Sequence, residues 1–486
     1  MTNDPSRLLI VASNRGPVSY GHAADGSLTA RRGGGGVVSG LMSGLAAVAA
    51  DGGALWLCAA LSEADREAAR HPELAASGIA HGEVPVRMLD IPAGVFGKAY
   101  NGIANSVLWF VHHLLFDTPN QPHFDAAFRA DWAAYVAYND AFAAALAQEC
   151  GRGTRVLIQD YHLSLAPRLL RDRHESARIA HFEHTPWAPP EYYRMLPEDV
   201  AIAILDGMLG ADHVGFLAAR WADAFLDCCE RVLGARVTRI RAGVGRVAYR
   251  DRVTAVAVHP LGVDAAELRA RGREADVREH ARVLTELAGD RQLIVRVDRT
   301  ELSKNVVRGL AAYRELLRTR PEWRGRVTHL AFAYPSRSAL PEYQAYTARV
   351  HELAAEICAE FRTQDWEPLI LDVKDDYPRS LAACGIADVL LVNPIRDGMN
   401  LVAEEGPILS EHGCALVLSR EAGAAALVGE AALLVNPYDV SATADALHAG
   451  LTMQTAERQR RSAAIASAAA ARAPRRWLAE QVEALG

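Results

Sequence analysis

Short apolar runs alternate with longer, helix-length stretches along almost the whole chain. Leu8 to Ala12, Val156 to Gln159, Arg178 to Phe182 and Thr254 to Val258 read as buried strands, as do Leu293 to Val297, Val327 to Ala333, Leu369 to Val373, Val389 to Val392 and Ala415 to Leu418. Each run is followed by a turn signal and then a helical stretch, and this repeated order implies parallel sheets covered by helices on both faces. Asp140 to Cys150 and Ser467 to Arg472 illustrate the alanine-rich helices, whose small side chains suit close packing.

The pattern breaks at HPLGVDAAEL, residues 259 to 268, where a strand ends in Pro260 and Gly262. A domain boundary there predicts two doubly wound α/β halves, 1–262 and 263–486, each starting with a strand. In such sheets ligands bind beyond the carboxyl ends of the strands, so two facing halves predict a cleft. The last helical stretch, with Trp477 and Leu478, is a candidate to pack back on the first half.

A length of 486 residues exceeds one ordinary core. Hydrophobic residues make up 50% and charged residues 23%, a globular composition, and the net charge of −7 argues against a nucleic-acid partner. Cys58, Cys150, Cys228, Cys229, Cys358, Cys384 and Cys414 form no C-x-x-C pair, as suits a reducing compartment. No run is long and apolar enough for a membrane span. Asp4 and Arg7 ahead of LLIVAS are unlike a secretory leader, so a cytoplasmic location is expected. The sequence leaves a homo-oligomer open.

Candidate chemistry gathers at strand ends. SNRGPVSY, with Arg15, is followed by RRGGGGVVSGL, with Gly36, an arrangement able to cradle phosphate through backbone N–H groups and a helix start. QDYHL places Asp160 and His162 after one strand, and HFEHTPWAPPEYYRMLP places His184 after the next. In VDRTELSKN, Arg299 and Lys304 stand five apart, a spacing that could surround one pyrophosphate. NPIRDGMNLVAEE reads as a strand-to-helix turn, Asp397 to Asn400, with Glu405 two turns on and on the same helix face as Asp397. Each segment alone also has a plainer reading, as a flexible loop, a helix cap, a satisfied histidine or a surface ion pair; several strand ends in concert favour a site. No metal-ligand cluster and no Gly-Lys-Ser phosphate loop occurs, so phosphates are expected to be neutralised by Arg, Lys and helix dipoles, with no metal or other cofactor.

The set SNR, GGVVSG, YNGIANSVLW, QDYHL, EHTPW, R-x-x-x-x-K and RDGMNLVAEE, in this order, resembles the trehalose-6-phosphate synthases, from about Leu8 to about Leu485. LSREAGAAALVGEAALLVNPYD, Leu418 to Asp439, is similar to that family's closing segment, and no phosphatase domain is expected to follow. The resemblance implies a GT-B fold and retaining transfer of glucose from a nucleotide donor to glucose 6-phosphate. It implies that Gly36 meets the donor phosphate and that Arg299 and Lys304 bind the pyrophosphate. It also implies that Asp397 and the N–H groups of Gly398, Met399 and Asn400 hold the glucosyl hydroxyls. Leu401 and Val402 would continue that turn, and Glu405 would take the ribose. His184 would contact the donor sugar, Asp160 the acceptor hydroxyls, and Arg15, Tyr100, Trp109 and Arg337 the acceptor phosphate.

Three departures shape the expectations. A second tryptophan usual after the early LW is absent from LWLCAAL, where Cys58 and Ala59 stand. That keeps open another acceptor, glycerol 3-phosphate or an aminocyclitol phosphate. The usual R-L-D-Y-x-K-G is RTELSKN, with Thr300 for leucine and Asn305 for glycine. In DVKDDYPRSL, Asp375 stands where an apolar residue is common; a carboxylate there matches the two donors of guanine better than uracil, which favours GDP-glucose over UDP-glucose. The alternative is that Asp375 and Asp376 cap the next helix. A non-catalytic sugar-phosphate sensor is the remaining alternative.

Overall fold

The computed structural model describes residues 8–23, 25–32, 41–42, 45, 53–71, 84–151 and 153–486. The chain divides into two compact units, Met1–Leu261 with Pro474–Gly486, and Gly262–Ala473.

In the first unit the strands run β1 (Leu9–Ser13), β2 (Val18–His22), β3 (Leu28–Arg32), β4 (Ala54–Ala59), β5 (Val86–Leu89), β6 (Arg155–Gln159), β7 (Arg178–Glu183), β8 (His213–Phe216), β9 (Arg236–Arg241), β10 (Val244–Tyr249) and β11 (Arg252–Val258). The main sheet has the order β5-β4-β1-β6-β7-β8-β11-β10-β9, with β2 and β3 as a separate hairpin. It is parallel from β5 to β11, and β10 and β9 close that edge antiparallel. All five residues of β1 are buried, as a strand covered on both faces requires. β9 is mostly exposed and carries Arg236, Arg239 and Arg241, charges that discourage edge pairing with another chain.

Two features frame the strand ends. Lys98–Leu108 forms an eleven-residue π-helix; such geometry is rare and concentrates at functional places. The terminal helix Pro474–Glu483 belongs to this unit, and buried Trp477 meets Phe182 edge-on, ring centroids 5.0 Å apart.

The second unit is a six-stranded sheet with β12 (Gln292–Arg299), β13 (Val327–Tyr334), β14 (Leu369–Asp372), β15 (Val389–Val392), β16 (Ala415–Ser419) and β17 (Leu433–Val435), in the order β14-β13-β12-β15-β16-β17. All its pairings are parallel. The chain starts at the centre, winds one way to β14, then returns to continue from β15. Ligand crevices form where the direction reverses, here between β12 and β15. In the first unit the same reversal falls between β1 and β6. Both units are therefore doubly wound and Rossmann-like, the architecture of the GT-B class.

Candidate active site

In the first unit, the carboxyl ends of the adjacent strands β1, β6 and β7 carry Arg15, Asp160 and His184. Arg15 is exposed on a loop anchored at its root. Trp56 Nε1 donates to Ser13 Oγ at 2.8 Å, and Tyr138 Oη donates to Asn14 Oδ1 at 2.6 Å. A Cβ on Gly16 would stand 2.4 Å from Cys58 Sγ, so the loop packs directly on β4. Cys58 and Ala59 are both buried there. The run GGGGVVSG, and Gly36 with it, lies outside the described residues.

Asp160 has φ +74° and ψ 162°, a region nearly reserved for glycine and strained by ~1–3 kcal/mol for other residues. Its N–H donates to Phe182 O at 2.7 Å, and its carbonyl accepts from Leu163 N at 3.0 Å, closing the 3-10 turn Tyr161–Leu163. Tyr135 Oη holds that turn by donating to Tyr161 O at 2.6 Å, and Asn139 Nδ2 donates to His162 O at 3.2 Å. Asp160 Oδ2 lies 3.4 Å from His162 Nδ1. Burial works against the Asp160 charge, but His162, His184 and the Tyr161 N–H outweigh it and hold the carboxyl at about 2. Burial lowers His184 to about 4. His184 is therefore neutral at physiological pH, and there His162 and the Tyr161 N–H sustain the Asp160 carboxylate. His184 Nε2 donates to Gln159 Oε1 at 2.9 Å in this amide orientation, which leaves Nδ1 as the acceptor nitrogen.

Tyr100 stacks on His162 at 5.5 Å and on Phe96 at 5.3 Å. Trp109 is buried against His113 at 3.8 Å and Tyr161 at 5.9 Å. The π-helix thus sets Tyr100 beside the Asp160 turn, the helix Trp109–His113 that follows sets Trp109 against Tyr161, and Asn105 Oδ1 accepts from Tyr161 Oη at 2.9 Å.

In the second unit the neighbouring ends of β13, β12 and β15 gather Arg337, Arg299, Lys304 and Asp397. Lys304 Nζ contacts Asp397 Oδ2 at 2.5 Å, and Asn400 Nδ2 donates to the same oxygen at 3.1 Å. Burial disfavours the ammonium, but Asp397 and Asp298 beside it raise its pKa. Arg299 and Arg337 both pair with buried Glu301, at 3.0 and 2.9 Å, and Arg337 Nη1 also donates to Tyr343 Oη at 2.9 Å. Against the cost of burial, Arg299, Arg337 and Lys304 hold Glu301 at about 2. Arg337 therefore stands in one ion cluster with Arg299.

The helix that carries Glu405 starts only at Val402. Asp397 stands in the preceding turn, so the expectation that Asp397 and Glu405 share a helix face is corrected. Asn400, at φ +74°, keeps the chain out of helical geometry until that point. The turn is braced from the side: Ala424 N donates to Met399 O at 2.9 Å, and a Cβ on Gly423 would meet Gly398 O at 1.9 Å. Leu401 and Val402 open the helix, whose first N–H groups have no intrahelical acceptor and favour an anion. Burial pushes Glu405 up to about 7.

Asp375 is exposed, while Asp376 caps the helix Tyr377–Ile386 by accepting from Arg379 N at 3.1 Å. Asn305 adopts φ +58° and ψ 38°, which explains a small or amide residue at this position; its Nδ2 donates to Asn393 O and Pro437 O at 3.0 and 2.7 Å.

Sequence reasoning passed over Glu301, Gln159 and Glu183. The signal was present for two of them: a carboxylate between two cations in RTELSK, and a carboxylate closing the buried strand RIAHFE before His184. Among the described residues no group of three or more His, Cys, Asp or Glu is arranged to hold a metal, and no helix is long and apolar enough to cross a membrane.

The model of glycosyltransferase family 20 matches residues 8–486. A bifunctional trehalose-6-phosphate synthase/phosphatase of Thermoproteus tenax is 34% identical over 383 residues, covering 78% of this chain and 50% of that protein. The chain thus spans about half the length of that relative. A trehalose-6-phosphate synthase of Mycobacterium avium is 32% identical over 484 residues, covering 98% of this chain and 94% of the relative. Among solved structures, a UDP-forming α,α-trehalose-phosphate synthase of Burkholderia xenovorans in complex with glucose-6-phosphate superposes with a TM-score of 0.84 at 25% identity, covering 99% of this chain and 100% of that one.

Proposed function

Because the chain belongs to glycosyltransferase family 20, the family of the trehalose-6-phosphate synthases, we propose that it transfers glucose from a nucleoside-diphosphate donor to glucose 6-phosphate, giving trehalose 6-phosphate. The observation that carries this reading is the cluster at the ends of β12 and β15, where Lys304 pairs with Asp397, about one turn before a helix start, and Arg299 joins Lys304 around buried Glu301. Donor cleavage puts charge on the departing diphosphate, and preorganised cations act where that charge develops.

The second unit is assigned the donor. Arg299 and Lys304 hold the diphosphate, and Asp397 with the N–H groups of Gly398, Met399 and Asn400 takes the glucosyl hydroxyls. Leu401 and Val402 continue the turn beside the phosphates, and Glu405 takes the ribose. Gly36 is assigned to the donor phosphate by its motif. The first unit is assigned the acceptor, with Asp160 on its hydroxyls and Arg15, Tyr100 and Trp109 toward its phosphate; His184 meets the donor sugar. Arg337 shares the acceptor-phosphate assignment by motif, and its pairing with Glu301 also ties it to Arg299.

The anomeric C–O bond to the diphosphate breaks as the acceptor hydroxyl attacks the same face. The new C–O bond forms there, and the hydroxyl proton passes to the departing diphosphate oxygen. A trapped covalent glucosyl-enzyme would falsify this route. For the donor base, the UDP-forming description of the Burkholderia relative favours uridine, whereas exposed Asp375 suggests guanosine.

The test incubates the protein with glucose 6-phosphate and either UDP-glucose or GDP-glucose and follows products by NMR. An α,α-1,1-linked disaccharide phosphate is expected, with the donor ratio settling the base. The packing of Gly16 on Cys58 favours one second reading, an altered acceptor. Transfer to glycerol 3-phosphate or an aminocyclitol phosphate alone would establish it.

A further inference from the structure

Glu183 closes β7, next to Asp160 at the end of β6, and its side chain is fully buried. Thr185 donates twice to Oε1, from N at 3.1 Å and from Oγ1 at 2.6 Å. The other oxygen, Oε2, is buried with no donor, and so is Asp160 Oδ1. Asp160 and Glu183 directly follow Gln159 and Phe182, which pair across β6 and β7, so the two carboxyls are neighbours, and the Asp160 charge acts on Glu183. A buried oxygen without a donor is costly, and two carboxylates in contact cannot both stay ionised. One proton between them satisfies both oxygens.

We propose that Glu183 is a positioning residue for Asp160: as a neutral acid it donates to Asp160 Oδ1 and so fixes the carboxylate that meets the acceptor. The role rests on the transfer reaction proposed above. Asp160 is 18% exposed although Oδ1 is buried, so the exposed part of the side chain excludes Oδ1. In this arrangement Oδ2 is the oxygen left to meet an acceptor hydroxyl while Oδ1 is occupied from behind.

The titratable groups facing the pair are Tyr135 from the long helix Ala126–Glu149, His162 on the turn after β6, and His181 and His184 on or just after β7. His181 is the competing home for the proton. Its Nε2 lies 3.8 Å from Glu183 Oε2, too long for a charge-assisted hydrogen bond, and it is completely buried. Burial lowers His181 to about 3, whereas burial and the Asp160 charge both raise Glu183. Tyr135 already donates to Tyr161 O at 2.6 Å. The proton therefore sits on Glu183.

Infrared spectroscopy reads this without substrate. A protonated-carboxyl band is expected to persist well above the ordinary carboxylate range, and its Glu183 component is expected to vanish in the difference spectrum between the parent protein and Glu183→Gln. Absence of that band, or its survival in Glu183→Gln, overturns the proposal. In kinetics, Glu183→Leu is expected to lower kcat/KM for glucose 6-phosphate roughly 10- to 100-fold, in line with one orphaned buried carboxylate oxygen, with donor affinity by calorimetry unchanged. Glu183→Gln, whose amide still donates, is expected to recover most of that loss. Equal kcat/KM in Glu183→Leu and the parent protein overturns the positioning role. If the parent protein transfers no glucose, the reaction reading fails, and the proton is still decided by the infrared band and the role by calorimetric binding of glucose 6-phosphate to Glu183→Leu.

Discussion

Lys304 and Asp397 are the residues on which the proposed chemistry most directly depends. Replacing Lys304 with alanine strips the diphosphate of a preorganised cation and leaves Asp397 beside Asn400 alone; kcat is expected to fall by about 10²–10³, measured as nucleotide release. Glu405 gives a pH signature. Its carboxyl ionises only near 7 because it is buried, and in the proposed ribose contact the carboxylate is the stronger acceptor, with both oxygens available. Donor KM is expected to rise as pH drops below about 7, and Glu405→Gln is expected to show a high KM that no longer changes with pH. The neighbouring Glu404 is also raised to about 7 by burial, against the opposing Val263 N–H. Its folded pKa lies above the unfolded one, so its stabilising contribution is complete below about pH 4.5 and is lost as pH rises through 7. Glu404→Gln is expected to flatten the fall of the melting temperature across that window. Of the site residues, the cations and Asp397 were legible because their strands are apolar runs that end in charge. Glu301 and Glu183 left a fainter signal, a charge in the right segment, because their importance lies in partners 36 and 23 residues away (Arg337 and Asp160), which only the sheet order brings close.

Elements show the same division. Strands buried on both faces, such as β1, β12 and β15, stand out as apolar runs and appear within a residue or two of where the pattern placed them. β9 and β10 did not, because they mix Val with Arg and face solvent on one side, and three-residue β17 is too short to show a period. The late start of the helix at Val402 escaped for another reason: RDGMN does not announce the left-handed backbone of Asn400, which the segment around Gly423 braces from the side. The loop after β12 offers a test. Asn305 combines a left-handed backbone with two side-chain hydrogen bonds. Asn305→Gly keeps the backbone and loses the bonds, an expected cost of about 1–2 kcal/mol; Asn305→Ala adds backbone strain of about 1 kcal/mol. Urea unfolding should rank the parent above glycine and glycine above alanine.

At the scale of the whole molecule, the chain leaves its first unit after Leu261 and rejoins it at Pro474. Both ends of the intervening unit meet, since Gly262 N donates to Arg472 O at 2.9 Å. The returning helix brings Trp477 against Phe182 and His184, and Arg178 reaches the last residues through Leu485 O at 2.6 Å. Trp477→Ala is expected to destabilise the first unit by about 3–5 kcal/mol, seen as a lowered melting temperature. It should also loosen His184, so that kcat falls even at temperatures where the variant stays folded.

That return has a consequence for how the protein is made. A ribosome delivers the strands of the first unit early, yet the indole that seals Phe182 arrives only after the roughly 210 residues of the second unit have been threaded out. At ~5–20 residues per second, this leaves the nascent domain unsealed for ~10–40 s. During that interval the apolar patch around Phe182 is open to chaperones, so dependence on them during translation should exceed what the finished fold's stability suggests, and a copy released before Trp477 should be recognised as unfinished.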